Sequence, residues 1–265
     1  MLPLDQSVGD TRKVLHGAFE PEVTVNTYVA NWGIPGALVA MSLVPALAGL
    51  MRLAQVTGGA NITPENARFI AAPLPVLIHI PVAIVFITLG AFQFFPGMRR
   101  RRGGWHRAAG RILAPIGLLA ALTGLWMTIV YPWPPGDGQL LYIERLIVSL
   151  AMVLSIGLGM YAILRRDFVS HGAWMMRAYA IGMGAGTQVL THLPWFLLVG
   201  GKPGELPRGM LMGAGWVINV VVAEWAIRRR MVRESQAVQK GQSLSNRRSE
   251  ESRQDISPPI ADRLL

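Results

Sequence analysis

The chain contains no cysteine, which excludes disulfides, thiolate catalysis and cysteine-based metal sites. It is also short of charge. Asp, Glu, Lys and Arg make up 15% of its 265 residues, where a soluble domain carries about a quarter. Acidic residues are the scarcer sign, 15 against 25 Lys and Arg. So few fall within apolar stretches that a carboxylate proton relay is not expected. The opening stretch MLPLDQSVGDTRKVLHGAFE lacks the basic start, apolar core and cleavage site of a signal peptide, so insertion is expected to use the first apolar segment. No H-E-x-x-H, G-x-S-x-G or phosphate-loop motif is present. No catalytic constellation is assigned, and a non-enzymatic role is expected.

What the chain has instead is long apolar blocks, with 52% of residues hydrophobic. Six candidate spans run over roughly 31–53, 67–95, 109–131, 141–164, 173–199 and 208–227. Each supplies about the 20 residues needed to cross ~30 Å of hydrocarbon at 1.5 Å per residue. The apolar runs are continuous rather than alternating, which favours helices over a barrel. The expected fold is all-α: a polytopic membrane helix bundle of about six transmembrane helices, with a four-helix core from spans two to five. A polar arm (1–30) precedes this membrane domain (31–230). A tail rich in Ser, Gln, Glu and Arg (231–265) follows. It has too little apolar surface to offset its ordering entropy and is expected to be disordered.

The net charge of +10 is distributed unevenly. Residues 99–111 read RRRRGGWHRAAGR. Arg165, Arg166 and Arg177 flank the next loop on the same side, and Arg228, Arg229, Arg230 and Arg233 end the last span. The opposite loops carry less: Arg52, Arg68, Lys202 and Arg208. By the positive-inside rule the arginine-rich side is cytoplasmic, with both termini inside a bacterial inner membrane. Anionic lipid headgroups are the expected partner. Nucleic acid is not, since no aromatic platform or folded reader accompanies the arginines.

Histidines inside a bilayer are costly and point to function. His79 in span two and His192 near the end of span five form an outer group. His106, opening span three, and His171, preceding span five, form an inner one. Membrane cytochromes of the b type use such an arrangement, with histidines from different helices on the haem iron. His79 and His192 are the ligands to test first, His106 and His171 second, and haem iron is the only metal expected. Against this, His171 and His192 lie 21 residues apart, ~31 Å along one helix, a wide spacing for two haems stacked in one bilayer. The plainer reading of His79 is an interhelical hydrogen bond with Gly or Ser nearby. For His106 and His171 it is an interfacial position beside phosphates.

Other polar residues carry weaker signals. Thr187, Gln188, Thr191 and His192 fall on neighbouring helix faces; they either line a small polar pocket or join helices by hydrogen bonds. Glu224 and Arg228, four apart, suit a local ion pair. GMGAG (182–186) lies within an apolar span with no preceding strand, so a nucleotide loop is excluded. Gly182 and Gly186 are spaced for close helix packing.

Two blocks resemble an uncharacterised bacterial family of predicted membrane proteins, a domain of unknown function. The first runs from His79 through Gly90, Gln93 and Phe94 to an HR-x-x-GR motif, here His106, Arg107, Gly110 and Arg111. The second has the pattern H-x-x-WM-x-R-x-YA, here His171, Trp174, Met175, Arg177, Tyr179 and Ala180. The resemblance covers roughly residues 70–195. Gly172 stands where the family often has Arg, and Gln188 or His192 stands where it has an Arg late in span five. The resemblance implies a membrane protein and names no reaction.

The expected function is a b-type haem or quinone-linked electron-transfer membrane subunit working with a redox or membrane partner protein. The alternative is a non-catalytic protein that scaffolds a partner, or binds lipid or a small anion at an inner basic cluster of Arg107, Arg111, Trp174 and Arg177. That cluster requires spans three and five to be neighbours. A small-molecule transporter is third, since the span-two prolines, Pro73 and Pro75, give only a faint broken-helix signal.

Overall fold

The computed structural model describes residues 25–94 and 103–255, and all regular structure among them is helical. Eight α-helices follow in order: α1 (Val25–Thr57), α2 (Ala67–Ala71), α3 (Pro73–Ala91), α4 (Gly103–Val130), α5 (Gln139–Leu164), α6 (Phe168–Gly182), α7 (Gly184–Leu198) and α8 (Glu205–Asp255). A 3-10 turn, Phe92–Phe94, extends α3. The arginines at 99–102, residues 1–24 and residues 256–265 lie outside the described residues.

Five helices, α1, α3, α4, α5 and α8, are each long and apolar enough to cross a membrane. The segment expected as the fifth span is covered by α6 and α7, two helices of 15 residues each. Neither reaches the ~20 residues a span needs; together they do. They meet at Met183, whose ψ of −4° departs from helical geometry. The span expected at 173–199 is thus interrupted near its middle. The segment expected as one span from 67 is also divided. Ala72 takes φ −139° and ψ 78°, because the ring of Pro73 disfavours helical geometry in the residue before it. Pro73 then starts α3 at a position where its missing N–H costs nothing.

Helices α3, α4, α5 and α6 form a square in which each packs on the next, with α4 and α6 across a diagonal. Its centre is Phe86, Ile87, Ala91, Ala114, Ala121, Met152, Ile156, Ala178, Tyr179 and Ile181. Alanines against aromatic and branched side chains let backbones approach, which matters where lipid tails compete equally for apolar contact. Helix α8 runs along α5, α6 and α7, and α1 packs on α3 and α7.

The α5–α6 turn is tight. The Asp167 N–H donates to Ala162 O at 2.9 Å and the Arg166 N–H to Ile163 O at 3.0 Å, the paired bonds of a Schellman ending. Arg166 takes the left-handed position, φ 59°. Asp167 then caps α6, its carboxylate accepting from Ser170 N at 3.0 Å.

Beyond Arg230, α8 continues to Asp255 with side chains 231–248 exposed. The tail expected to be disordered from 231 is therefore helical to 255. Its Glu, Gln, Ala, Lys and Arg are good helix formers. It also extends an existing helix, so no nucleation cost arises. Arg230 pairs with Glu234 one turn on, at 2.7 Å.

Candidate functional site

A half-open cavity of about 300 Å³ is walled by α1, α3, α4, α5, α6, α7 and α8. Its lining is apolar apart from His79, Ser149, Gln188 and Trp216. A mostly apolar chamber with a few convergent polar groups is the form that small-molecule sites take, and this volume is at the small end of their range.

His79 is the best-defined polar group in it. Its Nδ1 lies 3.0 Å from Ala120 O and 3.0 Å from Thr123 Oγ1, both on α4. The Thr123 hydroxyl donates to Leu119 O at 2.7 Å, so both neighbours of Nδ1 act as acceptors. In the neutral ring Nδ1 therefore carries the proton and Nε2 keeps its lone pair. Gly124 makes the approach possible: a Cβ there would lie 3.3 Å from His79 Cε1 and 3.8 Å from Ser149 Oγ. The imidazole and the serine hydroxyl thus converge on one glycine. His79 makes the interhelical bond that its plainer reading called for, with both a Gly and a Ser beside it.

The wall from α7 depends on the interruption at Met183. A Cβ on Gly182 would lie 2.9 Å from Phe86 of α3, and one on Gly186 would lie 2.8 Å from the Met41 carbonyl of α1. One on Gly184 would run into the Trp216 indole of α8. Three glycines in GMGAG thus face three different helices. Pro45, one turn after Met41, has no N–H to satisfy that carbonyl, which leaves it facing Gly186. Gln188 is buried and donates to Met212 O at 3.2 Å. Thr187 donates to Asn219 Oδ1 at 2.7 Å, and Thr191 to Leu211 O at 2.8 Å. These polar residues tie α7 to α8, and Gln188 also reaches the cavity.

The other histidines lie elsewhere. His192 bonds the Gln188 carbonyl of its own helix at 2.7 Å through Nδ1 and faces the Phe196 ring at 6.3 Å; it is not a lining residue. His171 bonds Gly159 O on α5 at 2.8 Å. His106 is half-buried near the start of α4. Among the described residues no group of three or more His, Asp or Glu is placed to hold a metal ion.

At the expected basic cluster, Arg177 stacks on Trp174 at 4.5 Å and grips both oxygens of Glu224 on α8, at 2.5 and 3.1 Å. Glu224 therefore pairs across helices and not with Arg228. Arg107 and Arg111 are exposed on α4, diagonally opposite α6. At Gly172, the Arg230 guanidinium lies 3.1 Å from where a Cβ would sit. An arginine from α8 thus occupies the neighbourhood of a position where the resembling family often has its own.

The two sequence blocks meet at Tyr179. Its hydroxyl donates to Ile87 O at 2.7 Å, its ring lies 4.9 Å from that of Phe94, and a Cβ on Gly90 would lie 2.6 Å from it. The family model described as Predicted membrane protein (DUF2306) matches residues 76–227. The chain belongs to that family. No curated protein and no solved structure matches it. The DUF2306 region extends past the resemblance at 70–195 to take in the membrane part of α8 with Trp216 and Glu224. It leaves out α1, so the cavity wall formed by Pro45, Ala46 and Gly49 comes from outside the DUF2306 region.

Ser149 and Trp216 were not singled out in the sequence. Ser149 carried one available signal, a hydroxyl mid-way through an apolar span. Trp216 carried none, since tryptophan is ordinary in membrane helices.

Proposed function

We propose that the protein binds a small, mostly apolar molecule with a hydrogen-bonding head, of the quinone class, in the cavity beside His79, as the membrane subunit of an electron-transfer system. The observation that carries this reading is the commitment of His79 Nδ1 to Ala120. It leaves Nε2 to accept from a hydroxyl head or, once protonated, to donate to a carbonyl. Ser149 and Gln188 add polar groups in the same chamber. The apolar remainder suits a ring that partitions into the bilayer.

The haem form of electron transfer has less support. A b-type haem takes two histidines from facing helices, and the lining contributes His79 alone. The anion-binding alternative at the inner cluster is weakened by the engagement of Arg177 with Glu224. Transport is the second reading, favoured by the interruption at Met183, since transporters place substrates beside broken helices. In this proposal the end carrying Arg107, Arg165 and Arg228 faces the cytoplasm of the inner membrane, and redox partners dock there.

The test is solvent extraction of protein purified in mild detergent from quinone-containing membranes, with the extract read by mass spectrometry. About one quinone per wild-type chain and little on His79→Ala supports the reading. Wild-type protein free of quinone, with no change in melting on adding a short-chain quinone, overturns it. A b-type absorption band in the wild type would transfer the assignment to haem.

A further inference from the structure

A second feature lies at the opposite end from Arg177, where α2 and the α4–α5 loop meet. Phe69 of α2 has the Arg52 guanidinium 5.0 Å and the Arg68 guanidinium 4.6 Å from its ring centre. Its edge meets Tyr131 at 5.5 Å, and Tyr131 in turn meets Trp126 at 5.6 Å. The Tyr131 hydroxyl donates to Ala72 O at 2.5 Å, which holds α2 against the bundle. On the other side is Asp137, its side chain 3% exposed, paired with Arg145 at 2.5 Å and Arg208 at 2.8 Å. Both carboxylate oxygens are thereby taken.

Arg68 lies within the field of Arg145, Asp137 and Arg52. Its Nε is buried and has no hydrogen-bond partner among the described residues. Two guanidinium groups, from α5 and α8, thus hold the carboxylate, and two more lie on the Phe69 side: Arg68 of α2, and Arg52 of α1, which donates to Gln55 Oε1 at 2.8 Å. Glu144 is another acidic group nearby; it packs on Gly213 of α8. Glu205 of α8 lies against Gly138, beside Asp137, and Glu65 pairs with Lys202 at 3.6 Å; with all of these ionised, the four guanidinium groups still exceed the carboxylates of Asp137, Glu144 and Glu205. Burial, and then the like charge of Arg145, push the Arg68 guanidinium below its usual range, as expected of a cation short of a counter-ion. The tryptophan and tyrosine set the level: these residues collect at membrane–water interfaces.

We propose that this cluster is an oxyanion site, taking a phosphate or carboxylate group against Arg68 with Arg52 and Arg145 beside it. Guanidinium groups suit this ligand because their planar donors match the oxygens of such groups. The tripartite origin of the site, with one cation each from α1, α2 and α5, means that a bound anion ties the first helix to the family region. The group comes either from a phospholipid of the adjoining leaflet or from a free anion.

The test uses the full-length protein in mild detergent, with its melting temperature as readout. One arm adds phosphatidylglycerol against phosphatidylcholine. The other adds inorganic phosphate against chloride at equal ionic strength. The wild type is expected to be stabilised by an added oxyanion. The concentration needed should rise about tenfold in Arg68→Gln, the size of one charge-assisted hydrogen bond, and stay unchanged in Arg107→Gln. A response to phosphatidylglycerol alone assigns the site to lipid; a response to phosphate as well assigns it to a free oxyanion. If Arg68→Gln does not fold, Arg52→Gln is expected to show the same shift. No response in either arm, or an equal response in the variants and the wild type, overturns the proposal.

Discussion

Arg177 on α6 holds both carboxylate oxygens of Glu224 on α8, 47 residues away in the chain. The pair bolts the last helix to the four-helix square, and the stacking of Trp174 on the same guanidinium fixes its direction. Side chains that are 26% and 32% exposed are not fully desolvated, so the attraction is intermediate between a surface and a buried pair. A double-mutant cycle on Arg177→Ala and Glu224→Ala, read by melting, should give a coupling of about 1–2 kcal/mol. Additive single effects would mean that the pair contributes nothing.

Tyr179 should tolerate loss of its hydroxyl better than Gly90 tolerates a methyl. Tyr179→Phe removes one neutral hydrogen bond and is expected to lower stability by about 1 kcal/mol. Gly90→Ala places a Cβ against a packed ring and should cost about 1–3 kcal/mol. Combining Gly90→Ala with Tyr179→Ala should recover part of that loss, and melting curves of the three variants decide it.

Gly124 offers a way to fill the cavity without replacing its polar groups. A valine there would crowd His79 Cε1 and Ser149 Oγ. Gly124→Val is expected to weaken binding of a short-chain quinone at least about tenfold. Gly110→Val, at a position with nothing within 4 Å, should leave it unchanged. Titration calorimetry on both proteins makes the comparison.

The α5–α6 turn yields a pH prediction. The side chain and then the backbone N–H of Ser170 hold the Asp167 carboxyl below its usual range. A depressed folded value means that the cap stabilises above the unfolded pKa of about 4. Its contribution is lost as the pH falls through the lower folded value. The melting advantage of the wild type over Asp167→Asn should therefore shrink below about pH 4 and be constant above pH ~6. In the same turn, Arg166→Gly should raise stability by about 1 kcal/mol, since Arg166 is left-handed.

The crossings were legible because a span is a local property, written as one uninterrupted apolar run. The pairings were not, because they join residues remote in the chain. Glu224 suggested Arg228 four residues on, yet its partner came from another helix. The cavity had the same obstacle, since His79, Ser149, Gln188 and Trp216 come from four helices. GMGAG was readable as close packing, but nothing local distinguished three packing partners from one. The tail misled for a different reason. Its composition lacks a core, which spoke for disorder, while its good helix formers follow directly from a helix already in place.

The interruption at Met183 makes the expected fifth span an articulated strut. Below the joint, α6 is clamped by Tyr179 and Arg177; above it, α7 is held by Thr187, Gln188 and Thr191 against α8. A continuous helix would pass any twist from one membrane face to the other. Here a rotation of the upper segment, which carries Gln188 into the cavity, is not passed on through the backbone of the lower, and the continuous α8, tied to both, is the element that couples them.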